Sequence, residues 1–211
     1  RSLLKTLKLL RKMENNMGSY KSKNITLYNY PELKINVLRW WESLFLSPNE
    51  LSKKGILPAP NRYKSELKRC DSITAIMLTE GFRALWLSFP VDLINNATTE
   101  DIERWAIIVA ILVYITQDSE KHFATIAGEK DESKKSCISE SRFLQLQSSR
   151  TYDEFIRRLR RILIQIKGKS SVLSMCKDIE KWVLEKQRFS SIQTNKQIII
   201  EWAMKYYQAA I

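Results

Sequence analysis

The sequence predicts an all-α fold, a helical bundle of about seven or eight helices, and three observations support it. All five prolines lie at or before Pro90, so the last 121 residues lack the residue that most strongly breaks helices. Apolar side chains recur at helical spacing in several segments, and no segment alternates apolar and polar residues beside a hairpin turn. A chain of 211 residues suits one domain. We therefore expect a single helical domain over residues 31–211, preceded by an N-terminal extension over residues 1–30.

The elements of the first half follow from apolar stripes and breakers. The first predicted helix ends before Pro48 and carries the stripe Val37, Leu38, Trp41, Leu44 and Phe45. The segment 55–60 (GILPAP) indicates a loop that leads to a helix around Tyr63–Cys70. The uncharged run Trp105–Thr116 is far shorter than the ~20 residues needed to span a bilayer, so we predict a buried central helix there.

Helix signals are dense in the second half. Thr98 with Asp101, and Thr151 with Glu154, have the spacing of capping boxes ahead of apolar runs. The helix after Thr151 has an apolar stripe of Phe155, Ile156, Leu159, Ile162, Leu163 and Ile166. Two further stripes are Leu173, Cys176, Ile179, Trp182 and Val183, and Ile199, Trp202, Ala203 and Tyr206. Each stripe predicts a helix that buries one face.

The composition excludes most enzyme active sites. No two glycines lie closer than 26 residues, which excludes Gly-rich dinucleotide and Walker loops. His122 is the only histidine and has no evident partner in the sequence, so multi-histidine metal sites are excluded. Three cysteines without a CxxC spacing are typical of the reduced thiols of a cytoplasmic protein. The acids Glu100, Asp101 and Glu103 stand at a helix start, where they suit the helix dipole. We expect no enzyme, no cofactor and no metal.

The positive charge is concentrated in three segments. The chain has a net charge of +12, and residues 1–12, 52–69 and 142–161 contribute +5, +5 and +4, so the remaining residues sum to −2. A nearly neutral body with local basic patches is typical of a protein that binds a polyanion such as nucleic acid. The alternative is a solvated surface that serves solubility.

The sharpest local feature is a cluster of four arginines in the helix after Thr151: Arg157, Arg158, Arg160 and Arg161. At about 100° per residue, the first and last point away from the apolar stripe and the other two flank them. A guanidinium donates two parallel hydrogen bonds to a phosphate, so we predict polyanion contact. Asp153 and Glu154 stand one turn before two of the arginines, so pairing within the helix is the alternative.

Three further basic residues, at two places in the chain, are candidates for phosphate contact. Lys68 and Arg69 belong to the basic segment 62–69, which lies at a junction from loop to helix, and helix N-termini and arginines both favour phosphate oxygens. The alternative is an ordinary surface helix. Arg142, which precedes Phe143, is either a third phosphate contact or a cap on a neighbouring helix.

Taken in order and spacing, three short motifs resemble the central signature of the CasB family: Arg142-Phe-x-x-Leu146, Asp153-Glu-Phe155 and Leu159-Arg160-Arg161. The tail, with Asp178-Ile-x-x-Trp182 and Trp202-Ala-x-x-Tyr206-Tyr207, is similar to the closing helices of that family, and Trp40-Trp41 and Ser65–Cys70 resemble its first helix and its basic element. The resemblance spans roughly residues 36–211. Lys68 departs from the family pattern, which has an arginine there, and residues 1–30 have no counterpart.

The CasB family is the small subunit of Cascade, the type I-E CRISPR surveillance complex. The resemblance implies a non-enzymatic helical subunit, present as two copies beside the backbone subunits and the large subunit. It implies contact with CRISPR RNA, target DNA and the displaced strand, and no membrane. It also gives the basic residues a shared purpose, which is to contact nucleic-acid backbone without reading its sequence: Lys68, Arg69, Arg142, Arg157, Arg158, Arg160 and Arg161.

Three other functions stay open at this point. A free-standing basic helical protein that binds nucleic acid or has a regulatory role would show the same charge pattern. A nuclease would need a metal site built on carboxylates. Residues 1–12 form a basic amphipathic segment that could lie on an anionic membrane surface.

Overall fold

A computed structural model describes residues 23–130, 132, 134–187 and 197–211. Within these ranges it contains twelve helices and two strands of two residues each. In chain order they are α1 Leu33–Phe45, α2 Pro48–Lys54, α3 Asn61–Arg69, α4 Ile73–Met77, α5 Glu80–Trp86, α6 Val91–Asn95, α7 Thr99–Leu112, β1 Gln117–Asp118, α8 Phe123–Gly128, α9 Glu140–Gln147, α10 Tyr152–Gln165, β2 Lys169–Ser170, α11 Val172–Gln187 and α12 Ile198–Ala209. The all-α class is confirmed, but the number of helices is higher than the predicted seven or eight.

Five short helices lie between α1 and α7, and α3 is the one of them that the sequence predicts. Each of the five starts at a proline or at a serine or threonine cap: Pro48 after Ser47, Pro60, Ser72, Thr79 and Pro90. They are five to nine residues long. Hydrophobic periodicity becomes visible only in a window of about 11 residues or more, so helices of this length show no stripe in the sequence. The α1 and α3 helices, in contrast, have the predicted positions.

Helix α7 is the centre of the core, as predicted. Every residue from Trp105 to Leu112 is fully buried, and the helix packs against α4, α10 and α11. The predicted capping box is confirmed, because the Asp101 N–H donates to Thr98 Oγ1 (3.2 Å) and the Thr98 N–H donates to Asp101 Oδ2 (3.1 Å). The helix ends at Leu112, four residues before the end of the uncharged run.

The second half of the fold is built on the predicted stripes. All six apolar residues of the α10 stripe are buried. The second capping box is wrong: Thr151 Oγ1 accepts the Glu154 N–H, but the Glu154 carboxylate accepts the N–H of Arg150 rather than that of Thr151. Helices α8 and α12 pack so closely that a side chain on Gly128 would overlap the carbonyl oxygen of Tyr206. Only glycine fits this contact.

A short parallel pair of strands, which the sequence does not predict, joins the ends of α7 and α10. Gln117 pairs with Lys169, and Asp118 pairs with Ser170. Gly168 enters the pair with a φ of +67°, and a side chain there would collide with Thr116 Oγ1. The pair places the Asp118 carboxylate so that it accepts the Val172 N–H at the start of α11 (2.9 Å).

Residues 23–30, part of the predicted extension, pack against the helical body. Ile25 and Leu27 are buried. The Ile25 N–H donates to Asp101 Oδ1 (2.9 Å), and the Leu27 N–H donates to Glu180 Oε1 (2.7 Å). Residues 1–22, and with them the basic segment 1–12, lie outside the described residues. No helix in the described ranges is both long enough and apolar enough to cross a membrane.

Candidate nucleic-acid interface

The outer face of α10 carries two exposed arginines. Arg157 and Arg161 are both exposed, on the side opposite the buried stripe, as the helical periodicity predicts. Neither forms an ion pair with another residue in the described ranges. Ile164, 62% exposed, stands one turn after them on the same face. Their guanidinium groups are therefore available to an anion that approaches from solvent.

Arg158 turns sideways and caps helix α9. Its Nη1 donates to the carbonyl oxygen of Gln145 (2.6 Å) and to Ser149 Oγ (3.3 Å), at the C-terminal end of that helix. The same atom lies 3.7 Å from Glu154 Oε2, the intrahelical pair that the sequence offers as an alternative. A cation is favoured at a helix C-terminus because the last carbonyl groups lack partners and carry partial negative charge. Arg158 is thus engaged in the fold.

Arg160 turns to the other side and caps two helices at once. Its Nη1 donates to the Cys70 carbonyl (2.7 Å) and its Nη2 to the Leu67 carbonyl (3.2 Å), both at the end of α3. Its Nε donates to the Ala110 carbonyl in the last turn of α7 (3.0 Å). The side chain is half-buried, and this desolvation lowers the pKa of the guanidinium. The expectation of four arginines on one solvent-facing side therefore needs correction, because only two lie there.

Lys68 and Arg69 are exposed at the end of α3, beside the Arg160 cap. Lys68 Nζ lies 5.5 Å from the centroid of the Tyr114 ring, and the Arg160 guanidinium carbon lies 5.0 Å from the same centroid. Arg69 Nε donates to the Ser65 carbonyl within its own helix (3.1 Å). Two basic segments about 90 residues apart in the chain thus meet at Tyr114. We call the four exposed groups Lys68, Arg69, Arg157 and Arg161 the α3–α10 basic surface.

Tyr114 is the residue of this site that the sequence does not reveal. It lies inside the uncharged run that is predicted to be core, and nothing in its spacing separates it from its buried neighbours. In the structure it is half-buried and its hydroxyl donates to the Lys68 carbonyl (3.1 Å). It lies two residues beyond the end of α7, and the sequence carries no signal of that end within the uncharged run.

Arg142 is exposed on α9 and contacts the far end of α10. Its guanidinium donates to the side-chain oxygen of Gln165, the last residue of that helix. Gln165 in turn donates to the carbonyl oxygen of Cys137 (3.0 Å). Arg142 therefore bonds to the side chain of the last α10 residue and stays exposed, and its contact with phosphate stays a prediction.

His122, unlike the expectation from the sequence, has a partner. Its Nδ1 accepts the N–H of Ala124 (3.0 Å) at the start of α8, and its Nε2 lies 2.6 Å from Asp178 Oδ2. The same carboxylate oxygen accepts the indole N–H of Trp202 (2.8 Å). The group links α8, α11 and α12, which is a packing function. In the ranges that the structure describes, no three His, Cys, Asp or Glu side chains are grouped as a metal site.

Comparison with known families gives this surface its context. Residues 64–207, more than half of the chain, match the family model of CRISPR-associated protein Cse2, and the match includes all seven predicted contact residues. Comparisons with curated proteins and with solved structures find no match. The family match confirms the resemblance drawn from the short motifs. The chain belongs to the Cse2 family, also called CasB, the small subunits of the type I-E Cascade complex of CRISPR defence.

Proposed function

We propose that this protein is a non-catalytic nucleic-acid-binding subunit that stabilises the R-loop of Cascade through contacts with phosphate. The α3–α10 basic surface carries the proposal. The two predicted basic segments that fall within the described residues meet at Tyr114 through Lys68 and Arg160, and the arginines of the surface form no ion pair with another described residue that would compete with an anion. Backbone contact by such groups does not depend on base sequence.

The energetics of R-loop formation favour a function of this kind. The heteroduplex that forms is about as stable as the DNA duplex that it replaces, so contacts between protein and backbone decide the balance. Phosphate contacts also release condensed counterions, which makes binding strongly dependent on salt. A few exposed cations in a helical subunit can therefore change the lifetime of the R-loop without any chemical step.

The seven predicted contact residues divide into groups in this proposal. Lys68, Arg69, Arg157 and Arg161 contact phosphate directly, and Arg142 extends the surface along α9. Arg158 and Arg160 support it by capping neighbouring helices. The ligands are the CRISPR RNA and the target and displaced DNA strands. The protein neighbours are the backbone subunits, the large subunit and a second copy of this chain.

Charge reversal on α10 tests the phosphate contacts. In assembled Cascade, Arg157→Glu with Arg161→Glu is expected to shorten the R-loop lifetime by roughly tenfold or more, because each charge-assisted hydrogen bond to phosphate contributes on the order of 1 kcal/mol. Across a salt series, the log–log slope of binding should flatten by about 0.7–0.9 for each phosphate that is no longer neutralised. The lifetime is measured from the rate of R-loop dissociation, and the slope is measured from binding titrations at several salt concentrations.

The matched control makes the same change in net charge elsewhere. Lys177→Glu with Lys186→Glu alters two exposed lysines on α11 and should leave the lifetime nearly unchanged. An unchanged lifetime in the α10 variant would contradict the proposal. Equal decreases in both variants would mean that overall charge, rather than this surface, acts on the R-loop.

Assembly is tested separately by co-expressing the chain with its tagged neighbouring subunits and a guide RNA. We expect two copies in each purified particle. Particles that assemble without this chain would contradict the proposed partners. In that case, tight duplex binding by the isolated chain at ~150 mM salt would favour the free-standing nucleic-acid binder, because few phosphate contacts give only weak binding at that ionic strength.

A further inference from the structure

We infer that Arg160 is a positioning residue which, together with Tyr114, holds the end of α3 against α10 so that Lys68 and Arg69 face the same nucleic-acid backbone as Arg157 and Arg161. This inference rests on the proposed function and names the residue that aligns its two basic segments. In this inference Arg160 does not contact nucleic acid itself, and the contacts are made by the four exposed groups of the α3–α10 basic surface.

The Arg160 guanidinium bonds to carbonyl groups at the ends of two helices. The carbonyl groups in the last turn of a helix lack partners in the helix itself. Arg160 supplies hydrogen-bond donors for such groups at two helix ends. It donates to the Leu67 and Cys70 carbonyls at the end of α3 and to the Ala110 carbonyl at the end of α7. Both helix ends also carry partial negative charge, which favours a cation between them. A single side chain from α10 therefore fixes the relative position of three helices.

Only arginine can bond to all three of these carbonyl acceptors. The three acceptors are bonded to three different nitrogens, which diverge from one planar group. A lysine ammonium at the end of a flexible stem keeps the charge but offers no planar fork, and it does not stack on an aromatic ring in the same way. The Arg160 guanidinium also lies against the Tyr114 ring, 5.0 Å from carbon to centroid.

Tyr114 connects the Arg160 cap to the basic side chains of α3. Tyr114 donates its hydroxyl hydrogen to the Lys68 carbonyl (3.1 Å), and its ring lies 5.5 Å from Lys68 Nζ. Both the backbone and the side chain of Lys68 therefore depend on a tyrosine that is held by Arg160. Arg69 is the next residue, and the carbonyl of Cys70, one residue further, is a direct Arg160 acceptor.

Arg160 is poorly placed to contact phosphate itself. It is half-buried, and all three of its nitrogens already donate to carbonyl oxygens. The exposed Arg157 and Arg161 on the same helix donate no such bonds to other residues that the structure describes. The two kinds of arginine should therefore respond differently to a substitution that keeps the charge.

The experiment is a double-mutant cycle on R-loop lifetime in assembled Cascade. Arg160→Lys is expected to shorten the lifetime about as much as Lys68→Gln with Arg69→Gln, although it leaves the net charge unchanged. Combining the two should shorten it by less than about a further twofold, since residues that act through one another are non-additive. Combining Arg160→Lys with Arg157→Gln should be additive. The matched control, Arg39→Lys, makes the same exchange at an exposed arginine of α1, outside the basic surface, and should change the lifetime by less than about twofold.

Two outcomes overturn the inference. A wild-type lifetime for Arg160→Lys shows that the fork is not needed, and full additivity with Lys68→Gln and Arg69→Gln shows that Arg160 acts independently. If the Arg160→Lys variant does not assemble into Cascade, Tyr114→Phe tests the inference instead, because it removes only the hydroxyl bond to Lys68. We expect that variant to shorten the lifetime non-additively with Lys68→Gln, and additivity there overturns the inference. Failure of the proposed function looks different: the Lys68/Arg69 and Arg157/Arg161 glutamine variants would then all behave as wild type.

Discussion

Replacement of Asp101 by alanine is expected to lower the free energy of unfolding at pH 7 by about 3–5 kcal/mol, because it leaves a buried guanidinium without its counter-ion. Asp101 and Arg104 are both fully buried, with Asp101 Oδ1 2.6 Å from Arg104 Nη1. Two nitrogens of Arg104, Nε and Nη2, have no hydrogen-bond partner among the described residues. Among the described residues, Asp101 is the only carboxylate in direct ion-pair contact with Arg104.

The same carboxylate carries three other contacts. It accepts the N–H of Ile25, and it accepts both the N–H and the hydroxyl hydrogen of Thr98, which start α7. Desolvation opposes the charged form, but the hydrogen bonds from Arg104, Thr98 and Ile25 outweigh it and hold the pKa of Asp101 below its ordinary value. A depressed carboxylate pKa contributes stability above the unfolded value of about 3.9, and that stability is lost as the pH falls through the folded pKa.

Urea denaturation of the purified chain measures the effect. Asp153→Ala, an exposed acid in the first turn of α10, is the matched control and should change the free energy of unfolding by less than about 0.5 kcal/mol. Adding Arg104→Met to Asp101→Asn should recover part of the stability, because a buried pair replaced as a whole costs less than a pair broken on one side. A decrease no larger than that of Asp153→Ala would contradict the importance of the pair.

The elements that the sequence predicts correctly are those whose apolar period is long enough to recognise. Helices α7 and α10 each span fourteen residues, and the buried sides of both follow directly from the pattern. The outward direction of Arg157 and Arg161 follows from the same period. The short helices α2, α4, α5 and α6 escape this reasoning because local caps and prolines define them rather than an apolar face.

The candidate site is predictable only in part. Helical periodicity gives the direction of a side chain, but it does not show which residue of another element that side chain contacts. Arg158 and Arg160 flank the outer face as expected, but their partners are carbonyl groups on α9, α3 and α7, far away in the chain. Asp101 illustrates the same limit. The sequence explains its position in the first turn of α7, and only the fold shows that it also pairs with Arg104 in the core.

The second large expected effect is on how the free energy of unfolding depends on pH, and it comes from Glu180. Glu180 is only 3% exposed, and burial raises its pKa to about 7, against opposing contributions from the Leu27 N–H, Arg104 and Lys177. A carboxyl whose pKa is higher in the folded state than in the unfolded state binds more protons when folded, so stability falls as the pH rises between the two values. Starting from an unfolded value of about 4.3, this difference in pKa corresponds to about 4 kcal/mol.

Glu180→Gln is therefore expected to remove most of this decline. Glutamine keeps an oxygen that can accept the Leu27 N–H and cannot ionise, so the variant should gain about 2–3 kcal/mol relative to wild type between pH 5 and pH 8. Free energies of unfolding from urea titrations across that range measure the change. Glu100→Gln, which removes an exposed carboxylate in the first turn of α7, should keep the wild-type pH profile.

The direction of the result distinguishes burial from hydrogen bonding as the dominant effect on Glu180. If the Leu27 N–H and the neighbouring cations dominated, the carboxylate would stabilise the fold, and Glu180→Gln would lose stability as the pH rises. A gain towards pH 8 means that desolvation dominates and that the fold tolerates a strained carboxylate in order to hold residues 23–30 in place. Loss of hydrogen-exchange protection at the Leu27 amide in Glu180→Ala, but not in Glu180→Gln, would show that this bond tethers the segment to α11.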